Sequence, residues 1–445
     1  MFTIVKCINM DSTFINLADL IRDAGLEVPG EIQTSKKKFM IVGTHTQQVT
    51  GYSKVTYHMI QELAKYDYLE LYHFGFQKFA FNTQGYREYP AGVDVYDPVQ
   101  KEKEFGVEGE AGFGFSQLPA YVRAVKPDCI LIYNDAGVIC RFLEKLATLL
   151  EAERTYKLIV YLDQVYTIQR PELLARIDKD AHIYFAFTQY WKEILQKQGI
   201  KKPIHILRHG FDPKQFVVMD RQSLRLKHSI SPNAFVILNL NRNTPRKHHD
   251  LAVMAFTKLI AKHPDQPLIM LGICDGGESG GYPLLEVFIR ELSNLQLNPQ
   301  QHGSKFVLSK GSMTFSDSMI NELYCLSDIG INTAEGEGFG LCQFEAMGVG
   351  VPQVVSDVGG FKDFCVHEQN SLVVPVKWRS YLALGHSALG GIAELVDPED
   401  VCLALERYLL NPALRVVHGQ NARTTVCSYT WEKEVAPLAQ VLQTL

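Results

Sequence analysis

The sequence predicts an α/β protein with two doubly wound parallel-sheet domains that face each other across a cleft. Short apolar runs, each suited to one buried strand, alternate with helix-like stretches, and this alternation occurs twice along the 445 residues. A break between Leu207 and Pro213, which contains Gly210, separates the two series. A chain of this length is also too long for one core and suggests two domains of roughly 200 residues each.

Four segments are expected along the chain. Residues 1–36 are predicted as an N-terminal extension, 37–210 as the first domain, 211–430 as the second domain, and 431–445 as a C-terminal helix that packs back towards the first domain. Helical spacing of apolar residues between Phe14 and Ile21 predicts a short amphipathic helix in the extension. Residues 75–117 are predicted as a long loop, either an acceptor-binding flap or a locally packed insertion.

Composition and charge exclude several classes of protein. The net charge of −5 gives no reason to expect a nucleic-acid partner, and no run approaches the roughly 20 apolar residues of a membrane span. The first ten residues lack the pattern of a secretory signal. Nine cysteines are scattered without CxxC pairs, which indicates neither zinc nor a disulfide framework and favours a cytoplasmic protein with reduced thiols.

The first series of strands directs attention to loops at their carboxyl ends, where parallel sheets bind ligands. The predicted strands are Lys38–Val42, Leu69–Phe74, Cys129–Tyr133, Lys157–Leu162, Ile183–Phe187 and Ile204–Leu207. Gly51 lies in the loop after the first strand, where it could let the backbone approach a ligand closely, although many strand-to-helix turns need a glycine.

The second series places a basic cluster after its first strand. The predicted strands are Phe235–Asn239, Leu268–Leu271, Phe306–Leu308, Asp328–Asn332 and Pro352–Val355. Arg242, Arg246 and Lys247 follow the first of them, giving three cations within six residues. Guanidinium and ammonium groups suit a diphosphate, while a solvated basic loop is the alternative interpretation.

A glycine-rich turn follows the strand that ends at Asn332. It reads Glu335-Gly336-Glu337-Gly338-Phe339-Gly340 and leads into a helix that carries Leu341 and Glu345. Backbone amides at such a helix start favour an anion, whereas the two carboxylates are better suited to sugar hydroxyls. The turn therefore indicates a nucleotide-sugar site, or else a purely structural connection between strand and helix.

Taken together, these motifs resemble the retaining glycosyltransferases of family 4, which have the GT-B fold of two Rossmann-like domains. The similarity rests on the E-x7-E spacing of Glu337 and Glu345 and on the R-x4-K spacing of Arg242 and Lys247. Further matches are Gly348 to Pro352, His209 to Asp212 and Thr430 to Glu432. The Gly51-Tyr52-Ser53 loop and the Arg246-Lys247 pair are similar to glycosyltransferases of large DNA viruses.

The resemblance implies a role for each matching residue. Arg242 and Lys247 would hold the donor diphosphate and stabilise the leaving group, and Glu337 would bind hydroxyls of the transferred sugar. Glu345 would bind the ribose, and Gly51 would approach the phosphates from the first domain. The remaining donor-binding residues would be Gly338, Phe339, Gly340 and Leu341 in the turn, and Lys310, Ser312 and Met313 near the base.

One departure from the family concerns the first domain. Many relatives have a histidine after its fourth strand, but here the segment is Tyr161-Leu162-Asp163-Gln164. Asp163 could orient the acceptor in place of the histidine. Alternatively, it could cap the next helix, and no residue would then have the role of the histidine. His45 is another candidate. No metal or cofactor is expected, because the sole Asp-x-Asp, Asp178 to Asp180, precedes a strand at its amino end.

The predicted function is that of a metal-independent retaining hexosyltransferase. Its donor would be a nucleoside-diphosphate sugar, with GDP-mannose slightly favoured over a UDP-sugar. Its acceptor would be a hydroxyl of a glycan, a protein-linked glycan or a small molecule. Two alternatives stay open at this point, a nucleotide-sugar epimerase of the same fold and a non-catalytic nucleotide-sugar-binding protein. The oligomeric state does not follow from the sequence.

Overall fold

The computed structural model describes residues 36–79, 87–105, 110–274, 280–309, 315–383 and 389–445. Residues 37–445 form one compact unit. The predicted amphipathic helix between Phe14 and Ile21 lies outside the described residues.

The first domain is built on a seven-stranded parallel sheet in the order β3-β2-β1-β4-β5-β6-β7. Because helices cover both faces, strands such as β4 are buried almost throughout and read as continuous apolar runs. The strands are β1 Lys37–Thr44, β2 Leu69–Phe76, β3 Asp94–Tyr96, β4 Cys129–Asp135, β5 Lys157–Asp163, β6 Ile183–Ala186 and β7 Ile204–Ile206.

The helices of the first domain begin at recognisable sequence signals. Thr50 forms a capping box with Ser53 at the start of α1, and Asp135 caps α4. They are α1 Gly51–Leu63, α2 Pro98–Phe105, α3 Leu118–Val125, α4 Ala136–Leu146, α5 Pro171–Asp180 and α6 Gln189–Lys197.

Residues 75–117 are not simply a loop, and of the two predicted forms the locally packed insertion fits the elements found there. β3 and α2 both lie within it, and β3 adds an edge strand beside β2 through the pairs from Tyr72–Asp94 to Phe74–Tyr96. A strand of three residues is too short to show the alternation that identifies strands in a sequence.

The second domain is built on a six-stranded parallel sheet in the order β10-β9-β8-β11-β12-β13. Both sheets reverse their strand order beside the first strand of the domain, which confirms the predicted doubly wound class. The strands are β8 Phe235–Leu240, β9 Leu268–Ile273, β10 Phe306–Leu308, β11 Ile329–Asn332, β12 Gln353–Ser356 and β13 Ser371–Val374. An antiparallel hairpin, β14 Trp378–Tyr381 and β15 Ile392–Leu395, follows.

The helices of the second half end with one that returns to the first domain. They are α7 Arg221–Lys227, α8 His249–Lys262, α9 Leu284–Asn294, α10 Pro299–His302, α11 Asp317–Leu326, α12 Leu341–Gly348, α13 Phe361–Phe364, α14 Pro398–Leu410, α15 Pro412–Cys427 and α16 Trp431–Thr444. Trp431 stacks on His58 of α1 with ring centroids 4.6 Å apart, and the Tyr68 hydroxyl donates to the Ala439 carbonyl at 2.7 Å. No helix in the described ranges is long and apolar enough to cross a membrane.

Candidate functional site

The connection between β11 and α12, residues 333–340 and here called the glycine loop, lies at the carboxyl edge of the second sheet. It ends at Gly340, which has a φ of +92° and precedes the first residue of α12. A Cβ atom at this position would collide with the Phe361 ring, so the turn requires glycine for both its conformation and its space. Among the described residues, no side chain caps the start of α12.

Three successive amides of the glycine loop are unusual. Within the described residues, the buried N–H groups of Gly338, Phe339 and Gly340 have no hydrogen-bond acceptor. Buried backbone donors are almost always paired, so these groups are suited to an external acceptor. The Phe339 side chain packs in the core against His209, with centroids 4.3 Å apart, and so presents only its backbone to a ligand.

The residues after β8, 241–248 and here called the basic turn, meet the glycine loop. The Lys247 ammonium donates a hydrogen bond to the Glu337 carboxylate, and the Arg246 guanidinium donates to the Gly336 carbonyl at 2.6 Å. Glu337 is only 6% exposed. Its burial opposes ionisation, but Lys247 and Arg246 outweigh burial and lower the pKa of Glu337. The structure therefore brings together an ionised Glu337 and Lys247.

Arg242 stands apart from this contact. Its side chain is exposed and, among the described residues, forms no hydrogen bond or ion pair. The neighbouring Arg246 instead approaches Glu337, with Nη1 3.7 Å from Oε1. Arg242 at the rim of the basic turn remains a prediction for diphosphate binding.

A polar network fixes the basic turn to the glycine loop. His248 Nε2 lies 2.9 Å from Glu335 Oε2, and the Tyr166 hydroxyl of the first domain donates to Glu335 Oε1 at 2.8 Å. Burial disfavours the imidazolium, but Asp250 and Glu335 outweigh burial and raise the pKa of His248 to about 9. A protonated His248 thus holds the basic turn and the glycine loop together.

Glu345 is paired with the first domain rather than open to solvent. Lys54 Nζ of α1 lies 2.5 Å from Glu345 Oε1, and the Tyr324 hydroxyl donates to Oε2 at 3.0 Å. Burial raises the pKa of Glu345, although Lys54 opposes that rise. A ribose hydroxyl that bound Glu345 Oε1 would therefore compete with Lys54.

Asp163, at the end of β5, faces the glycine loop from the first domain. Its Oδ2 accepts a hydrogen bond from the Tyr52 hydroxyl, while its Oδ1 has no partner among the described residues. Oδ1 occupies the space where a Cβ of Gly338 would lie. Burial raises the pKa of Asp163 to about 6, against the Tyr52 hydrogen bond and the Arg246 charge, which lower it.

One alternative for the missing histidine is wrong. Asp163 does not cap the next helix, because α5 begins at Pro171 and has Arg170 as its N-cap. His45 is buried rather than solvated, with its ring 5.4 Å from that of Tyr89. Burial lowers the pKa of His45 to about 2, so that it is neutral at pH 7.

The first domain also approaches the start of α12. A Cβ on Gly51 would lie 3.7 Å from the Leu341 side chain, which places the N-terminus of α1 against that of α12.

The predicted base-binding residues Lys310, Ser312 and Met313 lie outside the described residues. Among those described, no group of three or more His, Cys, Asp or Glu side chains could hold a metal ion.

Comparison with known proteins defines the class. Residues 220–384 match the family described as "Glycosyl transferases group 1". Sucrose-phosphate synthase from Thermosynechococcus elongatus has the same fold, with a TM-score of 0.67 at 16% identity over 92% of this chain and 99% of that one. Anabaena HepE in complex with UDP and glucose gives 0.65 at 15% identity over 92% and 100%. The chain has the GT-B fold, and a stretch of its second domain is similar to the group 1 glycosyl transferases.

Curated relatives are similar over part of their length. D-inositol 3-phosphate glycosyltransferase of Jonesia denitrificans is 28% identical over 211 residues, 46% of each chain. Mannosylfructose-phosphate synthase of Agrobacterium fabrum is 26% identical over 173 residues, 38% of this chain and 36% of that one. The matching stretch thus spans half or less of these relatives.

Sequence reasoning missed several residues at the site. Four residues that the sequence does not predict contact predicted site residues or the glycine loop: Tyr52, Lys54, Tyr166 and His248. Tyr52 and Lys54 follow Gly51 in the first turn of α1, and His248 directly follows Lys247, so proximity in sequence to a selected residue was the available signal. Tyr166 had no such signal.

Proposed function

We propose that this protein is a glycosyltransferase that moves a sugar from a nucleoside-diphosphate sugar to an acceptor hydroxyl with retention of configuration. The observation that carries the proposal is the Lys247–Glu337 pair beside the three unpaired amides of the glycine loop. A cation and free backbone donors suit a diphosphate, and a buried carboxylate suits sugar hydroxyls. The family 4 resemblance supports retention.

Each group then has a chemical task. As the bond between the anomeric carbon and the phosphate oxygen breaks, the nucleoside diphosphate leaves with the electron pair. Lys247, with Arg242 at the rim, stabilises this developing charge, and no metal is required. Glu337 orients the sugar through its hydroxyls. Asp163 accepts a hydrogen bond from the acceptor hydroxyl and orients it. The hydroxyl oxygen forms the new bond to the anomeric carbon, and its proton passes to the departing phosphate oxygen.

GDP-mannose is the first donor to test, followed by UDP-glucose and UDP-N-acetylglucosamine. The similarity to viral glycosyltransferases and to a mannosylfructose-phosphate synthase supports mannose. The fold of a structure that holds UDP and glucose supports a UDP-sugar as the second candidate.

The test combines donor binding with product analysis. A thermal-shift screen of GDP, UDP, ADP and their sugars identifies the donor, because a ligand that binds only the folded protein raises Tm. With that donor and a panel of acceptors, in the presence of EDTA, we expect release of nucleoside diphosphate and an NMR coupling that shows retention. Sugar interconversion without an acceptor would indicate an epimerase instead. Donor binding with neither transfer nor hydrolysis would indicate a non-catalytic binding protein.

A further inference from the structure

Lys54 is a buried cation that reaches from the first domain into the second. It lies in the first turn of α1 and is 8% exposed. Its Nζ lies 2.5 Å from Glu345 Oε1 and 3.3 Å from Asp317 Oδ1, and 4.7 Å from the centroid of the Phe216 ring. Burial disfavours the ammonium, but Glu345 and Asp317 outweigh burial and raise the pKa of Lys54, so it is charged.

Lys54 and Lys247 each pair with a carboxylate in or just before α12, Lys54 with Glu345 and Lys247 with Glu337. Cys342, in its first turn, is influenced by both: burial and Glu345 raise the pKa of its thiol to about 11, against Lys247 and Lys54, which lower it. Leu341 beside it contacts the start of α1 at Gly51. The start of α1 and Lys54 therefore lie against α12, while Lys247 contacts the loop that leads into it.

The proposed ribose contact would change the partners of Lys54. If ribose hydroxyls donate to Glu345 Oε1, they compete with Lys54 for its nearest carboxylate oxygen. Asp317 keeps Arg87, whose Nη2 lies 3.0 Å away, and the Gln215 amide, so it does not depend on Lys54. Lys54 would then keep only its 3.3 Å contact with Asp317, a carboxylate that it shares with Arg87, so a further anion within reach would stabilise the buried ammonium.

We propose that Lys54 is a donor-binding residue. When ribose hydroxyls bind Glu345, the Lys54 ammonium leaves Glu345 and pairs with the donor diphosphate. This inference rests on the proposed function, since it assumes a nucleoside diphosphate at the same site. The diphosphate is then held by Lys247 from the second domain and by Lys54 from the first. The negative charge of the donor diphosphate thereby links the two domains.

Titration calorimetry on the full chain tests this, with GDP and UDP compared with guanosine and uridine. Lys54→Met should weaken binding of the accepted nucleoside diphosphate about tenfold or more, which is the scale of one charge-assisted contact, and change nucleoside binding less than twofold. Lys54→Arg should keep most of the affinity. Lys65→Met, an exposed lysine just beyond the end of α1, is the matched control and should behave as wild type.

Lys54→Gln covers the case in which Lys54→Met fails to fold, because a glutamine amide can still donate to Glu345 without carrying charge. Unchanged or tighter nucleoside-diphosphate binding by the folded uncharged variant would overturn the inference and make Lys54 only a competitor for Glu345. If Lys247→Met loses nucleoside-diphosphate binding and the Lys54 variants do not, the proposed function is supported and the proposed role of Lys54 is wrong. If wild type binds none of these nucleoside diphosphates, both are wrong.

Discussion

The hydroxyl of Tyr52, in the first turn of α1, donates a hydrogen bond to the carboxylate of Asp163 at the end of β5. The second carboxylate oxygen of Asp163 has no partner among the described residues and faces Gly338 of the glycine loop. One oxygen is therefore held by the first domain and the other is directed at the proposed donor site. This geometry suits a carboxylate that orients an acceptor hydroxyl.

Activity should depend on the ionisation of Asp163. Because burial raises its pKa to about 6, we expect kcat/KM to fall as pH drops through about 6. Tyr52 stabilises the carboxylate, so Tyr52→Phe should raise that pKa and move the acid limb to higher pH. The other groups that act on Asp163 are Arg246, which lowers its pKa, and Asp135 and Glu337, which raise it.

The matched control is Tyr68→Phe. It removes a hydroxyl that donates a hydrogen bond to α16, away from the site. Its pH–rate profile should match wild type. An acid limb at the same pH in Tyr52→Phe and wild type would show that Tyr52 does not act through Asp163. Asp163→Asn should lower kcat/KM about tenfold or more while leaving donor binding within twofold.

Stability should be lost at high pH through His248. Its pKa is raised from an unperturbed value near 6.5 to about 9, so its contribution is complete below pH 6.5 and is lost as pH rises through about 9. The contribution is on the order of 3 kcal/mol. His248→Gln should be less stable than wild type at pH 6.5, and the gap should narrow towards pH 9.5. Urea unfolding at each pH measures it, and a gap that stays constant would refute the ion pairing with Glu335.

The two glycines that flank Phe339 should not tolerate a methyl group. Gly340→Ala places a Cβ at positive φ against Phe361, and Gly338→Ala places one against Asp163. Each should cost about 1 to 3 kcal/mol of stability by thermal unfolding. Gly303→Ala, where a Cβ would have no atom within 4 Å, should stay within about 0.5 kcal/mol of wild type. Equal effects of Gly303→Ala and Gly338→Ala would contradict the close approach of Asp163.

The doubly wound fold and the contact between the glycine loop and the basic turn could be predicted because their signals are local. A buried strand followed by a glycine-rich turn is visible in consecutive residues, and the carboxyl ends of parallel strands meet at one edge. Glu337 and Lys247 therefore came together as expected. The strand β3, with three residues, and the short hairpin β14–β15 gave no comparable signal.

The contacts between domains could not be predicted in the same way. Lys54 and Glu345 are 291 positions apart, and Tyr166 and Glu335 are 169 apart. No spacing pattern in one sequence records which residues meet when two separately formed sheets pack together. The pairing of Glu345 with Lys54 instead of solvent is therefore new information from the structure, as is the position of Arg246 nearer to Glu337 than the predicted Arg242.

We infer that Lys247 and Glu337 bind and activate a nucleoside-diphosphate sugar. The most direct test of this inference is kcat/KM for nucleoside-diphosphate release by Lys247→Ala and Glu337→Ala, with Lys258→Ala and Glu406→Ala as controls from the same domain. Loss of transition-state stabilisation should lower kcat/KM about 10²- to 10³-fold in each site variant and leave both controls near wild type. Turnover by either site variant at the wild-type rate would contradict the account.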